Sequence, residues 1–315
     1  MVRSERPPVT IVIPAYQAAE TIGEALESLT GQTYPDLEII VVDDGSSDST
    51  AEIVQQLATK SNSRIRLLRQ ENAGQAAALN VGWQQASGAY LGYLGADDVL
   101  YASAVARLVQ FLEAHPELVG AYPDYDLIGA DSKTIRRVHA PDYDARDLVE
   151  RFICQPGPGA LFRRTAFEKT GGWNSSLRQM PDFDFWLRLS RYGALARIPE
   201  PLGGFRVHEG SQTFAAPSAS KSEEPPILMA AFLAETTAGQ WNGARAMAWS
   251  HIIAARLHLR AGRLRPPLRH LKKALAYDAT IIVQPRFWRL IAGGILGQLR
   301  YRLLAVTRRA DDKIA

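Results

Sequence analysis

Four short apolar runs, each separated from the next by a polar turn and a stretch of helical spacing, limit the folds open to this chain. Val9–Ile13 is rich in β-branched residues, ends at Pro14 and shows little polar alternation, the pattern of a strand buried on both faces. Leu37–Val42, Ile65–Leu68 and Ala89–Leu94 follow as further strands. Between the first two, Ile22, Leu26 and Leu29 place an apolar stripe along a helix over Ala18–Gln32. Helices are also expected over Thr50–Thr59, with Ser47 or Asp48 as cap, and over Gln75–Gln85 after the Glu71–Gly74 turn. This alternation predicts an α/β architecture with a mostly parallel, Rossmann-like sheet and flanking helices. Right-handed crossovers bring the C-terminal ends of its strands to one rim, where ligands bind in such folds. Pro14–Tyr16, Asp43–Ser46 and Asp97–Asp98 fall on that rim.

Asp97 and Asp98 end the fourth strand side by side. Neighbouring carboxylates repel, so a site that keeps them close usually supplies a cation. Hard oxygen ligands suit Mg²⁺ or Mn²⁺, metals that commonly arrive with phosphates. The plainer alternative is a solvated Asp-Asp turn. No Gly-x-Gly-x-x-Gly follows the first strand and there is no Walker loop, which argues against a dinucleotide-binding dehydrogenase and a P-loop ATPase.

Eight segments, in order, carry a family resemblance. They are Thr10–Tyr16, Ile39–Asp48, Asn72–Leu79-Asn80, Leu94-Gly-Ala-Asp-Asp98, Gly159–Arg163, Gly171-Gly-Trp173, Asp182–Arg188 and Phe205-Arg-Val-His208. Together they resemble an inverting family 2 glycosyltransferase of the GT-A fold, bacterial in type. The resemblance implies that Pro14, Ala15 and Tyr16 line the base and ribose of a nucleotide-sugar and that Asp43 bonds the base, uracil for a UDP-sugar. It also implies that Asp97 approaches the ribose or a metal-bound water, and that Asp98 binds the Mn²⁺ or Mg²⁺ bridging the diphosphate. His208 would be a further metal ligand, and Arg206 could meet the diphosphate. Asp182 matches the family's catalytic base. Structural alternatives are a turn aromatic at Tyr16, a helix cap at Asp43–Asp48 or Asp182, and a polar surface group at His208. Two departures stand out: Gly95 where the family often has Asp, and Pro181 where it usually has Glu.

An inverting transfer needs one carboxylate to take the acceptor proton, and Asp182 and Asp184 are the candidates. Asp184 lies four residues before Arg188, an ion-pair spacing that gives it a structural job. Leu118–Tyr122, Tyr125–Gly129 and Ile135–Val138 read as a strand and hairpin. Residues 140–158 read as irregular cover for the acceptor, with Gly157 and Gly159 allowing close backbone approach to a sugar.

The division expected is a transferase domain over 1–212, a flexible linker or lid over 213–226 and a basic helical appendage over 227–315. Residues 241–315 carry 15 Lys and Arg against 3 Asp and Glu, net +12, whereas residues 1–240 carry 21 against 30, net −9. The last expected helix, Gln284–Val306, mixes arginines with aromatics and suits either an anionic membrane surface or packing on its neighbours. Nothing in the tail has a nucleic-acid-binding motif, and no nucleic acid is expected. A lone Cys154, an N-terminus without an apolar core and a Leu290–Leu299 run too short to span a bilayer predict a cytoplasmic protein, peripheral at the inner membrane face. The function expected is hexosyl transfer from a nucleoside-diphosphate sugar to a glycan or lipid-linked acceptor. The alternatives are a sugar-phosphate nucleotidyltransferase, which lacks its basic Gly-rich loop here, and a non-catalytic nucleotide-sugar-binding protein.

Overall fold

The computed structural model describes residues 6–60, 64–207 and 216–297. The chain divides into two compact units, residues 1–145 with 154–211 and residues 146–153 with 212–315.

The first unit opens with β1 (Val9–Ala15), α1 (Ile22–Thr30), β2 (Leu37–Asp43), α2 (Thr50–Lys60), β3 (Ile65–Arg69), α3 (Gln75–Gln85) and β4 (Tyr90–Tyr93). It continues with β5 (Val99–Leu100), α4 (Ala104–Ala114), β6 (Gly120–Ile128) and β7 (Thr134–Val138). After α5 (Ala145–Glu150), which belongs to the second unit from its second residue, come β8 (Leu161–Arg163), α6 (Arg164–Thr170), α7 (Pro181–Leu189) and β9 (Leu195–Arg206). The described residues form a nine-stranded sheet ordered β3-β2-β1-β4-β8-β6-β9-β5, with β7 hairpinned onto β6. The first four strands are parallel, as expected; β8 then pairs antiparallel with both β4 and β6, so the second half is mixed.

The absence of polar alternation in β1 and β2 has a direct cause. Val9, Ile11, Ile13, Ile39 and Val41 pack in one core with Ile22, Leu26 and Leu29 of α1 and Leu108 and Leu112 of α4. Val12 and Val42 face the other way and approach α3 so closely that a Cβ on Gly82 would meet Val12 Cγ1 at 2.3 Å. Each such aliphatic burial contributes roughly 1.5–3 kcal/mol. The register places Ala15 beside Asp43 and Asp43 beside Arg69, and the Asp44 N–H donates to the Ala15 carbonyl at 2.8 Å.

The second unit is helical: α8 (Ala219–Ala234), α9 (Gly243–Arg260), α10 (Arg265–Tyr277), a 3-10 turn over Ala279–Val283 and a helix over 285–297, here α11. The flexible segment expected over 213–226 is helix from Ala219 onward. Ser218 caps it by accepting from the Lys221 N–H, and Ser222, Glu224, Pro225 and Pro226 are all buried. Two prolines remove two helical donors, and burial of both rings offsets that local cost. The expected helix Gln284–Val306 begins at 285, and its part beyond 297 lies outside the described residues, as does His208. No helix among the described residues is long and apolar enough to cross a membrane.

Candidate active site

Asp97 and Asp98 sit in the turn between β4 and β5, and Gly95 explains how both fit. A Cβ at position 95 would lie 2.7 Å from Asp98 Oδ2 and 2.8 Å from Asp97 Oδ1, so the two carboxylates crowd one point over the glycine backbone. Asp98 is buried, and burial, followed by the neighbouring Asp97 charge, pushes its pKa up to about 8. Its partners are the Asp98 Oδ1 contact from the Arg206 N–H at 2.9 Å and the Arg206 charge. Crowded hard oxygens with a destabilised charge are a donor set that fits Mg²⁺ or Mn²⁺.

Arg206 is placed otherwise than its expected diphosphate contact requires. Its side chain is 2% exposed, and every guanidinium nitrogen is engaged within the protein. Nε donates to the Asp97 carbonyl (2.7 Å), Nη1 to the Gly129 carbonyl (2.9 Å) and Ser132 Oγ (2.9 Å), and Nη2 to Glu24 Oε2 (2.6 Å). The residue ties the carboxylate turn to the β6–β7 hairpin and α1.

At the ends of β1 and β2, Pro14 is half-buried, Ala15 buried and Tyr16 55% exposed. Asp43 is buried with both oxygens engaged, Oδ2 by Arg69 Nε (2.9 Å) and Oδ1 by the Ser46 N–H (3.0 Å). Asp44 accepts from Gln70 Nε2, the Ala73 N–H and the Gly74 N–H at 2.7–2.8 Å, fastening the loop that begins α3. Two guanidinium groups are exposed on this rim, that of Arg69, which is paired with Asp43, and that of Arg178. Arg178 lies over Gly74, whose φ of 91° and missing side chain make room, and it donates to the Ala73 carbonyl at 2.8 Å. No local pattern in the sequence marks Arg178.

Asp182 stands in the first turn of α7, half-buried. Burial raises its pKa, against hydrogen bonds from the Phe183 N–H and its own N–H. Tyr93, at the end of β4, connects the two acidic centres: burial first, then the fields of Asp182, Cys154 and Asp98, push its phenol well above the usual value. The Trp173 ring meets Tyr93 edge-on at 5.0 Å, and Trp83 of α3 stacks on Phe185 of α7 at 5.9 Å. These aromatics fix the start of α7 against β4 and α3. Asp184 does have the structural job its spacing suggested, since Arg188 Nε donates to it at 2.8 Å while Nη1 and Nη2 hold the Thr170 and Gly172 carbonyls. Asn80 bridges to the same segment, donating to the Trp173 carbonyl (2.7 Å) and accepting from its N–H (2.8 Å). Gly157 and Gly159, expected against a sugar, lie instead against protein: a Cβ would meet the Tyr125 ring at 2.8 Å and Leu100 Cδ2 at 2.9 Å, respectively.

The described residues hold one other grouping with metal-ligand spacing, Glu223, His258 and His270 of the second unit. Its hydrogen bonds are complete without a metal. Arg263 Nε donates to His258 Nδ1 at 2.8 Å, so the neutral ring keeps its proton on Nε2 and donates to Glu223 at 3.1 Å. His270 Nε2 faces Glu223 at 3.3 Å, and its Nδ1 accepts from His251 Nδ1 at 2.9 Å. A metal on His258 Nε2 would move the proton to Nδ1, N–H against N–H, and the Arg269 guanidinium already neutralises Glu223.

The family described as Glycosyl transferase family 2 matches residues 10–171 of this chain. An uncharacterized glycosyltransferase of Rickettsia prowazekii is 30% identical over 238 residues, 73% of this chain and 73% of that protein. Escherichia coli chondroitin synthase is 32% identical over 193 residues, 61% of this chain but 28% of that protein. Among solved structures, Staphylococcus aureus TarS 1-349 in complex with UDP-GlcNAc superposes with a TM-score of 0.66 at 17% identity, covering 94% of this chain and 92% of TarS 1-349. The mannosyltransferase PcManGT of Pyrobaculum calidifontis, in complex with GDP-Man and Mn²⁺, gives 0.61 at 20% identity, covering 95% and 88%. These two likenesses show the GT-A fold.

Proposed function

The chain belongs to glycosyl transferase family 2, and on that premise we propose that it moves a hexosyl group from a UDP-sugar to a hydroxyl of a glycan or lipid-linked acceptor, with inversion. The observation that carries this reading is that Tyr93, buried at the end of β4, lies within electrostatic reach of both Asp182 and Asp98. This supports a reading with a cation-binding end at Asp98 and a basic end at Asp182. The UDP-GlcNAc held by TarS supports the choice of uridine over the guanosine held by PcManGT.

Asp98, with Asp97 beside it, would hold Mn²⁺ or Mg²⁺, which supplies positive charge for a departing diphosphate. Tyr16, exposed at the end of β1, offers a ring face to the base, with Pro14 and Ala15 behind it. Asp43 reaches the base only by sharing an oxygen it now gives to Arg69 or Ser46. Arg178, at the exposed start of α3, takes the diphosphate role expected of Arg206. Asp182 acts as base: its carboxylate takes the acceptor hydroxyl proton while that oxygen bonds to the anomeric carbon and the sugar–phosphate bond breaks. A raised pKa makes the carboxylate a stronger base, and one displacement inverts the centre.

Asp182→Asn tests the assignment. UDP release in the presence of acceptor should fall by roughly 10²–10⁴-fold. The stabilisation by UDP-sugar and Mn²⁺, about 2.7 kcal/mol at a hundredfold excess over Kd, should survive. Near wild-type transfer by this variant would remove Asp182 from the mechanism. In Asp98→Asn the metal-dependent part of the stabilisation should vanish.

A further inference from the structure

The last helix of the basic second unit suits, by its sequence, either an anionic membrane surface or packing on its neighbours. Part of that helix is occupied: Phe287 is buried, and Arg286 stacks on the Trp249 ring at 4.5 Å and donates to the Arg151 and Phe152 carbonyls. Among the described residues, an exposed apolar and cationic face lies on α10 instead. Leu264, its N-cap residue, and Leu268, one turn on, are 68% and 67% exposed. Arg265, Lys272 and Lys273 are exposed on the same helix, which carries no acidic residue, while Arg269, also exposed, is paired with Glu223 of α8. The 3-10 turn that follows α10 exposes Ile282 and, at 80%, Val283, and the exposed Trp288 donates to the Ile282 carbonyl at 2.8 Å.

We propose that this α10 face is a docking surface for an anionic lipid bilayer. Charge decides between occupants. A second copy would meet it isologously, setting Arg265, Lys272 and Lys273 against the same three cations. An anionic bilayer accepts the cations at its headgroups and the leucines, Val283 and Trp288 at the acyl boundary, the pattern of a helix lying in the interface. The surface is independent of the transfer reaction, so its test needs no acceptor.

The full chain is sedimented with vesicles of phosphatidylcholine alone and of phosphatidylcholine with phosphatidylglycerol. Binding is expected to the anionic vesicles only and to weaken with salt. Leu264→Glu with Leu268→Glu should reduce it at least tenfold, and so should Lys272→Glu with Lys273→Glu. All four side chains are exposed, so the variants keep the wild-type Tm. Lys60→Glu with Lys169→Glu, the same charge change on α2 and α6, should leave binding unaltered. Absence of binding, equal binding to neutral vesicles, or equal loss in the Lys60/Lys169 variant overturns the proposal. So does a dimer in analytical ultracentrifugation that Leu268→Glu dissociates.

Discussion

At the scale of the residue, Gly95 in the carboxylate turn and Arg206 packed against it behave differently from their sequence pattern. Gly95 looks like a lost acidic ligand, yet the space for a side chain there is filled by Asp97 and Asp98. Gly95→Asp should therefore weaken metal-dependent donor binding, on the order of tenfold, because displacing reacting groups by fractions of an ångström is costly. Isothermal titration of UDP with and without Mn²⁺ reads this directly, and a gain in affinity would contradict the packing argument. Arg206 resembles a phosphate ligand in sequence but is a buried hub between Asp97, the hairpin and Glu24. Arg206→Ala should cost about 3 kcal/mol in denaturant unfolding, the lower end for a broken buried pair because Glu24 is partly exposed. A neutral effect on stability would return Arg206 to the ligand.

At the scale of the element, the base is only as well placed as α7. Its N-terminal turn has no side-chain cap; its position comes from Phe185 stacked on Trp83, from Arg188 gripping the preceding loop and from Asn80 holding Trp173. Phe185→Ala should cost about 3–5 kcal/mol through the cavity it leaves. It should also lower the rate of transfer more than donor affinity, since Asp182 moves while the β1–β2 rim stays; equal losses in both would show that α7 does not act through the base. β1–β4 and α1–α3 were legible because periodicity records which faces are buried, whereas α4, β5 and β8 were not expected. The Gly157 and Gly159 contacts were not, since a glycine in sequence says that something comes close but not what.

At the scale of the whole molecule, acidity acts on the second unit. His251 has its pKa pushed down to about 4 by burial and then by His270, and His258 and His270 are lowered, first by burial. A folded pKa below the unfolded value of about 6.5 means that stability is present above pH 6.5 and is lost as the pH falls towards 4. His251 alone should account for about 2 kcal/mol between pH 7.5 and 5. Denaturant unfolding at the two pH values checks this, and His251→Asn should flatten the slope; an unchanged slope would mean that burial does not lower the ring's pKa below its unfolded value.

Sequence alone determined the α/β class, the strand order along the chain, the rim on which Pro14–Tyr16, Asp43 and Asp97–Asp98 gather, and the pairing of Asp184 with Arg188. All of these follow from burial periodicity or from spacing within one element, which are local properties. Tertiary structure alone decided that Arg206 points inward, that Arg178 comes to lie exposed over Gly74 on the rim, that Glu223 gathers histidines from two other helices and that, among the described residues, α10 carries an exposed cationic face. Each of these depends on which distant segment fills the space beside a side chain, and that depends on packing between elements far apart in the chain.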